Sequence, residues 1–161
     1  MKTAVVYYSM SGNVKNTAEK IAEKLSADLI ELKPEKTYPD KGFKKFFWGG
    51  KSAVMGEKPN LLPYEFDEGK YERIIFGSPV WASNVVPPLR TFIEENRDNL
   101  KNKSISVFMC MSGSGGEKAI GKLKSFLDIE RFDNELILID PKDKPSVEND
   151  EKIASFCEKL N

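Results

Sequence analysis

The stretch Ser9-Met10-Ser11-Gly12-Asn13 decides how the rest of the sequence is interpreted. It follows an apolar run at residues 4–8 and precedes a helical pattern that starts near Val14. The first turn of a helix presents free backbone N–H groups, and the helix dipole favours negative charge there. Two serine hydroxyls and an asparagine amide add donors, and the glycine lets the backbone approach a ligand closely. The stretch therefore predicts a loop that binds a phosphate monoester.

Length and composition indicate a single domain over residues 1–161 with a sizeable core. Hydrophobic residues make up 40% of the chain and charged residues 31%, and the formal net charge is zero. This balance gives no reason to expect a nucleic-acid or membrane-surface partner. Met1 leads straight into a strand-like run, and no apolar stretch reaches the roughly 20 residues that span a bilayer. We therefore expect a cytoplasmic protein without membrane insertion.

The chain contains no histidine and only two cysteines. Without histidine, Ser-His-Asp and Cys-His nucleophiles and most zinc sites are excluded. Cys110 and Cys157 have no metal-ligand spacing, and we interpret them as buried thiols in preference to a disulfide or redox pair. No catalytic residue or metal site is predicted, so an enzyme of this composition would depend on a bound cofactor.

Apolar runs alternate with helical patterns along the chain. Strands are predicted at 2–8, 28–33, 71–77, 104–109 and 136–139, the second of them at a sheet edge. Helices are predicted at about 14–25, 41–54, after Pro87 and Pro88, at 117–127, and after an N-cap at Ser146. This alternation predicts an α/β fold of three layers with a doubly wound, five-stranded parallel sheet.

Loops rich in small and polar residues follow the first, third and fourth predicted strands, at 9–13, 78–86 and 111–116. In the strand order 2-1-3-4-5 those strands are neighbours, so the loops would converge where ligands bind in open α/β sheets. The first would hold phosphate, and Trp81 in the second would offer a flat face to a planar heterocycle.

The first loop resembles the flavodoxin phosphate loop, whose pattern is roughly (S/T)-x-T-G-N-T. Residues 77–92, GSPVWASNVVPPLRTF, are similar to the second flavin loop and following helix of a flavodoxin-like subfamily, and residues 111–119 resemble its third loop. The similarity covers essentially the whole chain and implies a flavodoxin-like fold of the short-chain type that binds FMN non-covalently. The FMN-binding residues that it implies are Ser9, Met10, Ser11, Gly12, Asn13, Val14, Lys15, Asn16, Ser78, Pro79, Val80, Trp81, Ala82, Asn84, Met111, Ser112, Gly113, Ser114 and Gly115.

The sequence departs from the family pattern at several positions. Val14 replaces a threonine, and the hydroxyl of Thr17, one helical turn further on, is expected to substitute for it in part. No glycine follows Trp81, which leaves Asn84 as the residue of the second loop that tolerates a left-handed conformation. The third loop lacks the Asp-Tyr pair of long-studied flavodoxins, and the chain is neutral where electron-carrying flavodoxins are acidic.

The favoured hypothesis is an FMN-dependent electron carrier whose partners are a reductase and an acceptor protein. An NAD(P)H-dependent reductase of a small flat substrate such as a quinone is the alternative, which the open third loop and the neutral charge favour. A flavin-free binding module of the same fold is a further possibility.

Two segments stand apart from this site. Phe43, Phe46, Phe47 and Trp48 are interpreted as the sheet-facing side of a helix in preference to a lid or dimer patch, and residues 141–145 as a surface turn.

Overall fold

A computed structural model describes residues 1–38 and 58–161 of the protein. The predicted helix at 41–54, with its aromatic residues at 43–48, lies outside the described residues.

The described part of the chain forms one five-stranded parallel sheet. Its strands are β1 (Thr3–Tyr7), β2 (Asp28–Glu31), β3 (Arg73–Pro79), β4 (Ser104–Met111) and β5 (Glu135–Ile139). The sheet order is β2-β1-β3-β4-β5, which confirms the predicted order and places β2 at an edge. The central strands are continuous apolar runs because both faces of the sheet are covered.

Helices cover both faces of the sheet. They are α1 (Asn13–Leu25), α2 (Pro87–Asn96), α3 (Gly116–Leu127) and α4 (Val147–Glu158), with a short 3₁₀ turn at Asp98–Leu100. Helices α1 and α4 pack with Val5 and Phe108 in one core, and α2 and α3 pack with Val6 and Phe76 in the other. Successive strand residues point to opposite faces, so β1 contributes to both cores. The three-layer prediction is therefore confirmed.

Element ends agree with the sequence within a few residues, with one difference that affects the site. The loop predicted at 78–86 is too long by two residues, because Ser78 and Pro79 pair with Met109 and Cys110 and extend β3. Pro79 stands at the last position of the strand, where its missing N–H is tolerated. The predicted cap of α4 is confirmed, since Ser146 Oγ accepts a hydrogen bond from the Asn149 N–H at 3.1 Å.

Candidate functional site

The carboxyl ends of β1, β3 and β4 meet at one edge of the sheet, and a cavity of about 320 Å³ opens between the loops that follow them. All three predicted loops contribute to its lining. The predicted residues that line it are Ser9, Met10, Ser11, Asn13, Val14, Pro79, Val80, Trp81, Ala82, Met111 and Ser112. The predicted residues outside this lining are Gly12, Lys15, Asn16, Ser78, Asn84, Gly113, Ser114 and Gly115.

The first loop (residues 9–13) turns into α1 through Gly12, whose φ of 95° lies in the left-handed region that favours glycine, and its last residue, Asn13, is also the first residue of the helix. Ser9 Oγ accepts a hydrogen bond from the Lys15 N–H at 3.1 Å, and the Asn16 N–H donates to the carbonyl oxygen of Gly12. The N–H groups of Lys15 and Asn16 are therefore already bonded within the protein. The earliest N–H groups of α1 have no acceptor in the helix, which leaves them for a ligand.

The side chain of Asn13, which lines the cavity, is hydrogen-bonded to the turn that follows β5. Its Nδ2 donates to Asp143 Oδ2 at 3.0 Å, and its Oδ1 accepts from the Lys142 N–H at 2.8 Å. The amide thus ties the first loop to the turn at 140–145, between β5 and α4. This turn is exposed at most positions, as expected of a surface turn, but it also supports the first loop.

The expectation that Thr17 replaces a missing phosphate-binding hydroxyl is wrong. Thr17 is fully buried, and its hydroxyl donates to the carbonyl oxygen of Asn13 at 3.1 Å. The same hydroxyl lies 3.7 Å from Cys110 Sγ, which lines the cavity. Burial raises the pKa of Cys110 to about 12, so this thiol stays protonated and uncharged at neutral pH.

Both cysteines are free and buried, which confirms the sequence interpretation. Burial also raises the pKa of Cys157, to about 11.

The second loop (residues 80–86) contains a tight turn over residues 81–84. The Asn84 N–H donates to the carbonyl oxygen of Trp81 at 3.0 Å, and Ala82 and Ser83 have φ values of 49° and 56°. Two successive positive φ values define a type I′ turn. The left-handed residues of this loop are therefore Ala82 and Ser83, and the sequence-based choice of Asn84 is wrong.

Asn84 instead stabilises the turn from its end. Its Nδ2 donates to the carbonyl oxygen of Ala82, and its Oδ1 accepts from Lys122 Nζ on α3, both at 2.6 Å. Ser78 is likewise committed to the protein, because it is fully buried and its hydroxyl donates to the carbonyl oxygen of Pro79. Both side chains are thus hydrogen-bonded within the protein.

Trp81 lines the cavity and also belongs to the hydrophobic core. Only 9% of Trp81 is exposed. Its ring lies nearly perpendicular to those of Tyr8 and Tyr38, with centroid distances of 5.5 and 5.2 Å. Edge-to-face contacts of this kind fix the orientation of the indole. Burial also raises the pKa of Tyr8, which keeps this phenol neutral.

The third loop (residues 112–115) contributes less to the lining than predicted. Met111, at the end of β4, and Ser112 reach the cavity, whereas Gly113 and Ser114 are exposed. Gly115 caps α3 with a φ of 96°, and a Cβ at this position would overlap Ser83 Oγ. The second and third loops therefore touch at Ser83 and Gly115.

Sequence reasoning missed two residues that line the cavity, Cys110 and Asp140. The carboxylate of Asp140 accepts from Ser112 Oγ at 2.9 Å and lies 3.4 Å from Lys144 Nζ. Asp140 directly follows β5, so its position at a carboxyl strand end was the signal that could have identified it. The carboxyl edge of the sheet thus has a fourth contributor, the turn at 140–145.

The cavity has two chemically distinct parts. The beginning of α1 and the serines of the first loop form a polar part with backbone donors, whereas Pro79, Val80 and Trp81 form an apolar part. Within residues 1–38 and 58–161, no cluster of His, Cys, Asp and Glu side chains is suited to hold a metal ion, and no helix is long and apolar enough to cross a bilayer. The arrangement suits an organic ligand with an anionic group at one end and a flat apolar group at the other.

Solved structures with this architecture include flavoproteins and flavodoxins. A flavoprotein from Lactobacillus acidophilus in complex with FMN shares 23% identity, with a TM-score of 0.71 over 94% of this chain and 97% of that chain. Oxidised flavodoxin 2 from Bacillus cereus shares 20% identity, with a TM-score of 0.59 over 99% and 97% of the two chains. Two-electron reduced flavodoxin from Megasphaera elsdenii shares 16% identity, with a TM-score of 0.58 over 97% and 98%.

These likenesses show a common fold. The family itself is shown by sequence, because a flavodoxin family model matches residues 2–149. The protein described here is a member of the flavodoxin family.

Proposed function

We propose that this protein binds FMN non-covalently and carries electrons between larger redox proteins. The observation that supports this most directly is the single cavity that joins the first turn of α1 to Trp81. The FMN complex of the Lactobacillus acidophilus flavoprotein supports the choice of this flavin over other ligands with a phosphate and a flat ring.

The residues present fit the two ends of FMN. The backbone donors at the beginning of α1, together with Ser11 and the approach over Gly12, suit the phosphate. Trp81 and Val80 suit the isoalloxazine ring, because an apolar wall and an aromatic face exclude water from a planar heterocycle. Edge-to-face contacts with Tyr38 and Tyr8 fix the indole, so the wall is formed before the ligand arrives.

When bound, FMN would supply one- and two-electron transfer, and the protein would control its potential through hydrogen bonds, dielectric and nearby charge. Within the described residues that line the cavity, Asp140 is the acidic side chain, and its carboxylate is bonded to Ser112 and Lys144. The Cys110 thiol and the Tyr8 phenol stay neutral. The ring end of the site would therefore have a low dielectric and little fixed charge. We expect a reductase and an acceptor protein as partners, in the cytoplasm.

Flavin titration of the purified protein tests the proposal. We expect one FMN per chain by fluorescence quenching, and weaker binding of riboflavin, which lacks the phosphate. Photoreduction of the loaded protein then gives both midpoint potentials. Slow reduction by NADH or NADPH alone, and rapid reduction through a flavodoxin reductase, would indicate a carrier. A protein that binds neither flavin would contradict the proposal and favour a flavin-free binding module.

A reductase of small flat substrates is the second candidate, and the third loop favours it. In the part of the chain that the structure describes, this loop places the small residue Ser112 at the cavity, with Gly113 and Ser114 exposed beside it. Small side chains would leave space for a substrate beside the ring. Turnover of a quinone with NADH or NADPH by the FMN-loaded protein alone would favour this candidate over the carrier.

A further inference from the structure

We propose that Lys142 is an additional binding residue for the phosphate of FMN, supplied by the turn at 140–145. This inference rests on the proposed function, because it concerns the anionic end of the same site. The ammonium group lies directly over the first loop, and a Cβ built on Gly12 would be 2.9 Å from Lys142 Nζ and 3.3 Å from its Cδ. The lysine side chain thus occupies the space that the absence of a side chain at Gly12 leaves open.

The backbone of Lys142 is held at this position by the first loop itself. Asn13 Oδ1 accepts hydrogen bonds from the N–H groups of Lys142 and Asp143, at 2.8 and 3.4 Å. Asn13 also opens α1, so the residue that begins the phosphate-binding helix fixes the lysine. Because the buried Asn13 amide fixes the backbone of Lys142, the lysine side chain can reach only positions near the first loop.

Lys142 differs from the neighbouring lysines around the first loop in its ion pairing. Lys15 Nζ lies 3.9 Å from Glu31, and Lys144 Nζ lies 3.4 Å from Asp140. The nearest acid in sequence, Asp143, has a carboxylate oxygen bonded to Asn13 Nδ2. Among residues 1–38 and 58–161, no carboxylate lies within ion-pair distance of Lys142. A cation next to free backbone donors is suited to a phosphate dianion, because a charged hydrogen bond adds to the dipolar attraction of the helix.

A lysine at this position would affect ligands that carry a phosphate and not ligands that lack one. Backbone N–H groups and serine hydroxyls bind phosphate through hydrogen bonds and the helix dipole, without a full positive charge. An ammonium group on an exposed stem adds a Coulombic contribution that ions in solution screen. Lys142 would therefore increase the preference of the site for FMN over riboflavin, and this additional preference would decrease as ionic strength rises.

The test compares Lys142→Gln with Lys144→Gln, which removes the same charge from the same turn. Dissociation constants for FMN and riboflavin are measured by fluorescence quenching at low and high salt. We expect Lys142→Gln to weaken FMN about tenfold at low salt and riboflavin by less than about twofold. For Lys144→Gln we expect less than about a threefold change for either flavin, because the Lys144 ammonium is exposed and already paired with Asp140, which also keeps its hydrogen bond from Ser112. Lys142→Arg should retain most of the FMN affinity.

The outcomes separate this inference from the proposed function. A wild-type protein that binds neither flavin overturns both. A wild-type protein that binds FMN, with Lys142→Gln unchanged, overturns the role of Lys142 and leaves the function intact. Equal weakening of FMN and riboflavin in Lys142→Gln also overturns it, because the lysine would then act on the loop and not on the phosphate. Circular dichroism and the unfolding midpoint confirm that each variant is folded.

Discussion

The first and second loops both pass through the left-handed region of the backbone, but they use different residues to do so. The first loop uses Gly12, with a φ of 95°. The second uses Ala82 and Ser83, with φ values of 49° and 56°. Glycine adopts such angles without strain, whereas a left-handed conformation costs an L-residue about 1–2 kcal/mol.

The difference corresponds to what each loop contacts. Gly12 faces Lys142 and the approach to the helix terminus, where a side chain would fill the space. Ala82 and Ser83 belong to a turn fixed on one side by Trp81 and on the other by Gly115. The first loop is thus shaped by the absence of a side chain, and the second is held in a strained shape by packing. Four substitutions test this interpretation, from the largest expected effect to the smallest.

Replacing Trp81 with alanine removes the side chain that packs the second loop onto the core. We expect the free energy of unfolding to fall by about 3–5 kcal/mol, because a buried aromatic leaves a cavity and two edge-to-face contacts are lost. FMN affinity should also fall, by about 1–3 kcal/mol if the ring contacts the indole. Urea unfolding and flavin titration measure both changes. Trp81→Phe is the control, and its losses of stability and of FMN affinity should be less than half of those of Trp81→Ala. If Trp81→Ala leaves the stability unchanged, packing does not hold the loop.

Replacing Gly115 with alanine places a methyl group against Ser83 and forces alanine into a left-handed conformation. We expect a destabilisation of about 2–4 kcal/mol, from backbone strain and overlap together. Thermal or urea unfolding measures it. Combining the change with Ser83→Gly should restore part of the stability, since the overlapping hydroxyl is removed. Strictly additive effects would contradict a contact between the two loops.

Replacing Gly12 with alanine should cost less, about 1–2 kcal/mol, because the overlap is with the flexible end of a lysine side chain. Its effect on FMN binding should exceed its effect on stability, since the methyl group enters the phosphate approach. Gly113→Ala is the matched control: nothing lies within 4 Å of its Cβ position, and its stability should change by less than about 0.5 kcal/mol. A change in stability for Gly12→Ala as small as the control's would show that the glycine is not required there.

Replacing Ala82 with glycine should stabilise the protein slightly, by about 0.5–1 kcal/mol, because relief of the left-handed strain exceeds the entropy that glycine loses on folding. Ala154→Gly, inside α4, should have the opposite sign, with a loss of about 1 kcal/mol. Both stability changes are measured as shifts of the urea unfolding midpoint, provided that the dependence of the unfolding free energy on urea concentration stays the same. If Ala82→Gly is destabilising, the second loop is not strained.

The sequence predicts the fold because the responsible signals are local. Apolar runs such as 4–8 and 74–76 identify buried parallel strands, and Ser146 identifies a helix cap from its own neighbours. The three loops are also predictable, since strand ends at one sheet edge bring them together. The sequence pattern therefore predicts where the cavity lies.

The partners of individual side chains are not predictable in this way, because they come from distant parts of the chain. Asn13 bonds to the turn at 142–143, and Thr17 bonds to its own helix and contacts Cys110. Nothing near Ala82 or Ser83 in the sequence indicates a positive φ, since the surrounding packing imposes it. Sequence spacing does not predict these partners, because polar side chains bond to whichever group the tertiary fold brings near.

The bond between Asn13 and Lys142 joins residues 129 positions apart in the chain. A ribosome makes Asn13 well before Lys142, so the intervening residues must be synthesised before the first loop acquires its support. Early fragments that contain the Ser9–Asn13 stretch would lack a fixed phosphate end, however well β1 and α1 are formed. Tight binding of the cofactor would then indicate that β5 and the turn at 140–145 have folded onto the first loop.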